Sequence, residues 1–209
     1  MKIKLLIVCL VAFTTSLFAQ EQNMTAQEIT DFKSKIVKEA KSITSLTTSF
    51  VQYKHLEFLS NDVESSGKMI FLAPDNLLWE YSKPYKYSII FQNNKVNINN
   101  QGSKSTIDAK NNKLFEKINK LIIGSVSGNM FDESEFQIQY AKSKTHNIAK
   151  FTPKSKDILK LIKKVELYFP LNDNTVAEVK LIETSGDYTK IVFKNKVLNA
   201  KVDKSDFTF

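Results

Sequence analysis

The period of the hydrophobic positions changes along the chain, and each change marks a different kind of element. Over 25–44, Ile29, Phe32, Ile36, Val37, Ala40 and Ile43 recur every three or four positions, with Lys33, Lys35, Lys38 and Lys41 between them. That spacing predicts an amphipathic helix. Thr25, three residues before Glu28, is the sequence form of a capping box at its start. From Leu46 onward the apolar residues alternate instead. Strand candidates follow at 46–59, 68–72, 77–81 and 87–98, with polar turn material at Ser60-Asn61-Asp62, Asp75-Asn76 and Gln92-Asn93-Asn94. Short consecutive strands without helices between them pair antiparallel.

A second helical stretch is expected at 112–125, where Leu114, Phe115, Ile118, Leu121 and Ile122 share one face, ending at the Gly124 to Gly128 segment. Strand candidates resume at 136–140, 147–151, 162–169, 176–183 and 188–193, and Phe207-Thr208-Phe209 closes the chain. No repeat, low-complexity tract or Pro-rich linker divides it. The expectation is a single α+β domain: a long antiparallel sheet that curls, with amphipathic helices covering one face.

The first residues follow another logic. Lys2 and Lys4 precede an apolar run from Leu5 to Phe13, then Thr14-Thr15-Ser16 and a Leu17-Phe18-Ala19-Gln20 junction. This is the pattern of a secretory signal peptide over 1–19, cleaved after Ala19, which leaves 20–209 as one mature domain. Cys9 lies inside that apolar core with branched Val8 before it, which disfavours lipid attachment, so the mature chain is expected to be soluble and free of cysteine.

Composition narrows the chemistry. The 209 residues are 42% hydrophobic and 25% charged, with only 5 Gly and 4 Pro, which suits one well-cored domain without disulfides. The net charge is +8, yet all 30 basic residues are Lys. Without the guanidinium fork, specific readout of phosphate or guanine edges is disfavoured, and no nucleic-acid partner is expected. The Lys excess is read first as solubility, with diffuse attraction to anionic surfaces second.

No constellation of reactive groups stands out. His55 and His146 have no partner at metal-binding spacing, so neither a metal site nor a catalytic histidine is expected. Gly124-Ser125-Val126-Ser127-Gly128 has Val126 where a nucleophile elbow needs its nucleophile. Asp132, Glu133 and Glu135 read as a solvated turn. No enzyme activity, cofactor or metal follows from these residues. The apolar pattern is the informative part: Leu77, Trp79 and Tyr81 alternate onto one face of a strand, and Met69, Phe71 and Ala73 onto one face of its neighbour. Those side chains either fill an ordinary core or line a cavity.

The run from Gly67 through Met69-Ile70-Phe71-Leu72-Ala73-Pro74-Asp75-Asn76-Leu77-Leu78-Trp79-Glu80-Tyr81 to Pro84 resembles the core signature of the periplasmic outer-membrane lipoprotein carrier family, the LolA-like proteins. Leu46-Thr47-Thr48-Ser49-Phe50-Val51-Gln52 resembles the strand after that family's first helix, and Lys120-Leu121-Ile122-Ile123-Gly124 its second helix. The likeness covers nearly all of 20–209. It implies a half-open antiparallel β-barrel, its apolar interior lidded by helices, that holds the acyl chains of lipoproteins released by an inner-membrane ABC transporter and delivers them toward an outer-membrane acceptor. It also implies a monomer without cofactors, located in the periplasm.

By resemblance, Phe50, Met69, Phe71, Leu77, Trp79 and Tyr81 line the cavity. Ile29, Phe32 and Ile36 from the first helix, with Leu114, Ile118, Leu121 and Ile122 from the second, form the lid. Two positions depart from the family pattern. Ala73 stands where members carry the arginine that helps hold the lid closed, and Leu77 where an aromatic ring is common. The alternatives from other classes are a carrier of another lipid on the same fold and a lipid-binding sensor that regulates a membrane partner. A sensor is expected to bring a second domain, whereas this chain ends soon after its last strand.

Overall fold

The computed structural model describes residues 21–93, 95–108, 124 and 129–209. Apart from Gly124, the expected second helix, with Leu114, Ile118, Leu121 and Ile122, lies outside the described residues, as do the leader and its Ala19 junction. In chain order the elements are β1 (Gln22–Asn23), α1 (Ala26–Ser42), β2 (Ser45–His55), β3 (Val63–Leu72), β4 (Asn76–Lys83), β5 (Tyr87–Gln92), β6 (Lys95–Asn100), β7 (Ser103–Asp108), β8 (Phe136–Lys142), β9 (His146–Pro153), a short α2 (Lys156–Leu159), β10 (Ile162–Pro170), β11 (Glu178–Glu183) and β12 (Tyr188–Leu198), then a 3₁₀ turn (Lys204–Phe207).

All twelve strands form one antiparallel sheet in the order β1-β8-β9-β10-β11-β12-β2-β3-β4-β5-β6-β7. The sheet does not close, and β1 and β7 are its edges. Two meanders are joined where β12 pairs with β2, with Phe193 opposite Phe50 and Val192 opposite Val51. This is the pairing that local pattern does not specify, because it spans most of the chain.

Register carries the inward positions across the sheet as rows. Leu46, Phe71, Leu77, Phe91 and Val96 face one another from β2 to β6, and Thr48, Met69, Trp79, Ile89 and Ile98 form the next row. On the other half, Ala149, Leu167, Val179 and Ile191 make the corresponding row. Because side chains alternate with period two, a slip of one residue at any pair would turn these rows to the outside. The rows bury two clusters on one face. One is centred on Phe151, Phe169, Ile36 and Met130, the other on Phe50, Phe71, Leu77 and Val96.

The helix α1 crosses that face. Its capping box is complete: Glu28 N donates to Thr25 Oγ1 at 3.3 Å and Thr25 N to Glu28 Oε2 at 2.8 Å. At its start Met24 N donates to Tyr140 O, and beyond its end Thr44 N donates to Asn199 Oδ1, so it runs from β8 to the β2–β12 junction. The outer face holds a third cluster, in which Phe207 of the terminal turn covers Ile70, Leu78 and Ile90. Phe207 therefore plugs the back of the sheet from the terminal turn, while Phe209 beyond it is exposed.

Several boundaries differ from the sequence reading. The expected 87–98 strand is β5 and β6 with a tight turn between them, Asn93 taking φ of 53°. The strand expected to run to Leu59 ends at His55, where the β2–β3 hairpin turns. β7 has no apolar alternation to announce it, being exposed except at Ile107. Val176 and Ala177 belong to the connection before β11 and not to the strand.

Candidate apolar cavity

The inner rows do not pack tightly everywhere. Between the two clusters lies a cavity of about 210 Å³. Met69 and Trp79 line it from the β3–β4 side, and Val165, Leu167, Val179, Leu181, Ile191 and Phe193 from β10, β11 and β12. Strands five places apart in the sheet order thus meet around one space, which requires the sheet to curl. Ala40 and Ile43 at the end of α1 close it from above.

The sequence-derived cavity residues divide. Met69 and Trp79 line the cavity itself. Phe50, Phe71 and Leu77 are buried behind them in the same cluster, with Tyr81 half-buried at its margin. They form the wall that holds Trp79: the Phe50 ring lies 4.5 Å from that of Trp79 and 5.2 Å from that of Tyr81. The Tyr81 hydroxyl donates to Gln52 Oε1 at 2.9 Å, and burial pushes its pKa up. Phe193 meets Trp79 edge-on at 6.0 Å and packs against both clusters, so it bridges the two halves of the sheet.

The helical residues read as lid are placed toward the other cluster. Phe32 and Ile36 are buried there, with Phe32 edge-on to Phe169 at 5.2 Å, and Ile29 is packed against it half-buried. The residues over the cavity are Ala40, one turn past Ile36, and Ile43, the residue that caps the end of the helix.

Sequence reasoning missed the cavity wall supplied by β10, β11 and β12. The signal was present: Val165/Leu167, Val179/Leu181 and Ile191/Phe193 alternate as Met69/Phe71 do. What was missing was the closure of β12 onto β2. It also missed Lys196, the one ionisable side chain lining this cavity among the described residues. A bulge between Lys194 and Val197, with Asn195 at φ of 55°, shifts the alternation of β12 by one residue and turns Lys196 inward after Phe193.

The polar residues of the lining are Thr48, Asn174, Thr175, Thr189 and Lys196, of which Thr48 and Thr175 are buried. Elsewhere, His55 Nδ1 is 2.8 Å from Asp62 Oδ1 with the ring stacked on Tyr188, and His146 Nδ1 is 2.8 Å from Thr145 Oγ1. Both histidines lie outside the cavity lining. Asp132 caps its own turn by accepting from Ser134 N at 2.9 Å, and Glu133 pairs with Lys33 at 2.9 Å. Among the described residues no group of three His, Cys, Asp or Glu is placed to hold a metal ion, and no helix is long and apolar enough to cross a membrane.

What this arrangement can do is sequester hydrocarbon, because its lining is mainly alkyl and aromatic surface with few polar groups. The family comparison agrees with that class. A model of the family described as outer membrane lipoprotein carrier protein LolA matches residues 41–209, and the chain belongs to this family. No curated protein sequence matches it. Among solved structures, an uncharacterised conserved protein from Thermus thermophilus is similar at a TM-score of 0.51 and 11% identity, over 88% of this chain and 93% of that one. The MucA/MucB complex of Pseudomonas aeruginosa is similar at 0.50 and 10% identity, over 86% of this chain and 60% of that one. A LolA superfamily protein from Nitrosomonas europaea matches at 0.44 and 10%, over 85% and 97%. These likenesses are likenesses of fold.

Proposed function

We propose that this protein is a periplasmic carrier that takes the acyl chains of lipoproteins into the cavity between its two half-sheets and shuttles them from the inner to the outer membrane. The observation that carries this is the apolar cavity bounded by Met69, Trp79, Leu181, Ile191 and Phe193, in a chain of the lipoprotein carrier family. Each methylene moved from water into such a space gains about 0.8 kcal/mol, so a dry concave surface is all the binding chemistry that an acyl chain demands. No bond need be made or broken, and no cofactor is required. In this reading an inner-membrane ABC transporter supplies the cargo, an outer-membrane acceptor receives it, and residues 1–19 direct the chain to the periplasm and are removed.

The cavity as it stands is smaller than the roughly 300–1,000 Å³ of ordinary ligand sites, so loading requires the walls to part. Trp79, Phe50, Phe71, Leu77, Met69 and Tyr81 are assigned as one wall. Ile29, Phe32 and Ile36 belong to the covering helix, and Leu114, Ile118, Leu121 and Ile122 to the second cover.

The test is release. Inner-membrane vesicles carrying the transporter and a triacylated lipoprotein are incubated with ATP and the mature protein. The reading expects lipoprotein in the soluble fraction with the wild type and little with Trp79→Glu. Equal release by both would overturn it.

A further inference from the structure

The cavity has a strap. Residues 171–177 connect β10 to β11, and three of them line the cavity: Asn174 exposed at the rim, Thr175 and Val176 buried. At its ends the strap is tied by backbone bonds, Leu171 N to Thr145 O, Ala177 N to Tyr168 O and Phe193 N to Ala177 O. Between those ends its hydrogen bonds to β12, among the described residues, run through one atom. Lys196 Nζ donates to Asp173 Oδ2 at 2.6 Å and to Thr175 Oγ1 at 2.5 Å, and its third N–H is shared between the carbonyls of Val176 and Thr175 at 3.3 and 3.5 Å. Asp173 in turn organises the strap itself, accepting from Thr175 N at 2.8 Å and Thr175 Oγ1 at 2.7 Å.

This is an expensive arrangement for a cavity wall. A lysine with only 16% of its side chain exposed, aimed inward by a bulge, has to be balanced by a partner in place. A leucine at that position would seal the same space without charge. An ion pair at the rim does what a leucine cannot: it holds a movable segment by a few directional bonds that break together and are replaced by water when the segment swings out.

We infer that Lys196, with Asp173 and Thr175, is the latch of a gate, and that residues 171–177 are the segment that opens to admit cargo. This rests on the carrier reading and adds to it which wall moves and what holds it. Opening the strap removes Thr175 and Val176 from the lining and joins the cavity to solvent beside the Lys196 rim.

The experiment compares the wild type with Lys196→Met, the Lys196→Met/Asp173→Asn double variant, which leaves no unpaired charge, and Lys196→Arg. Two quantities are read: amide hydrogen exchange of 173–177, and the rate at which dansylundecanoic acid enters the cavity, followed by its fluorescence. Loss of one charge-assisted latch predicts exchange and entry about tenfold or more faster in both Met variants, while Lys196→Arg stays near the wild type. Exchange in β3 and β4 should be unchanged in all, which separates gating from general loosening. Unchanged exchange at 173–177 in the double variant would overturn the latch. If the probe enters none of the four proteins, the carrier reading fails, and the exchange data still decide the latch.

Discussion

Phe50 faces Gly67 across the β2–β3 pair, so a fully buried ring stands opposite a residue that brings no side chain. The glycine is required by the strand on its other side. A Cβ built there would stand 1.8 Å from the carbonyl oxygen of Glu80 and 2.9 Å from the Cα of Tyr81, at the register shift where β4 passes close to β3. The missing side chain thus lets two backbones approach beside the rings of Phe50 and Tyr81, which meet edge-on.

Gly67→Ala should therefore cost stability at the upper end of overpacking, about 3 kcal/mol. Urea unfolding measures it. A loss under about 0.5 kcal/mol would mean that the β3–β4 approach is adjustable.

Phe207 separates the two faces of the sheet experimentally. It is 3% exposed and packs on Ile70, Leu78 and Ile90 behind the cavity wall. Phe207→Ala should lose about 3–5 kcal/mol while the remaining folded protein binds dansylundecanoic acid as before, since the cavity is on the other side. Loss of binding in protein shown to be folded would mean that the terminal turn shapes the cavity.

Tyr140 tests the core beneath α1. Its hydroxyl is buried and finds no hydrogen-bond partner among the described residues, and burial, with Glu133 nearby, pushes its pKa up to about 12. Tyr140→Phe removes a polar atom that folding desolvates without return, so stability should stay level or rise by up to about 1 kcal/mol. In alkaline spectrophotometric titration the variant should lose one late-ionising phenol.

Acid should loosen the attachment of α1. The hydrogen bond from Lys142, with those from Thr25, lowers the Glu28 carboxyl from 4.5 to about 2. A carboxyl with a depressed folded pKa adds stability above its unfolded pKa and loses it as pH falls toward the folded one. The Glu28 contribution should thus fade between about pH 4.5 and 2, and Glu28→Gln should flatten the pH dependence of unfolding in that window. Asp173 adds to the same trend. Burial raises its pKa, but the bonds from Lys196 and Thr175 outweigh this and hold it below the ordinary value.

How much of this was legible in the sequence depended on whether the information was local. Thr25 and Glu28 announced the start of α1, and alternation placed Met69 and Trp79 on one inner face, because caps and pleats are set by neighbours in the chain. Polar β7 carried no such pattern. The pairing of Phe193 with Phe50 is set by the closure of two distant meanders, and no short window of sequence contains it. Lys196 was invisible for a further reason: by plain alternation from Phe193 it faces outward, and only the bulge at Asn195 brings it to the cavity.

The central claim is that the space between Trp79 and Phe193 holds acyl chains. Native mass spectrometry of the mature protein captured gently from the periplasm, with its bound material extracted and identified, tests this most directly. The account predicts triacylated lipoprotein in the wild type and none with Trp79→Glu. Phospholipid or glycolipid alone would point instead to a carrier of another lipid. A protein free of lipid but bound to a membrane partner would contradict the carrier reading and favour a sensor.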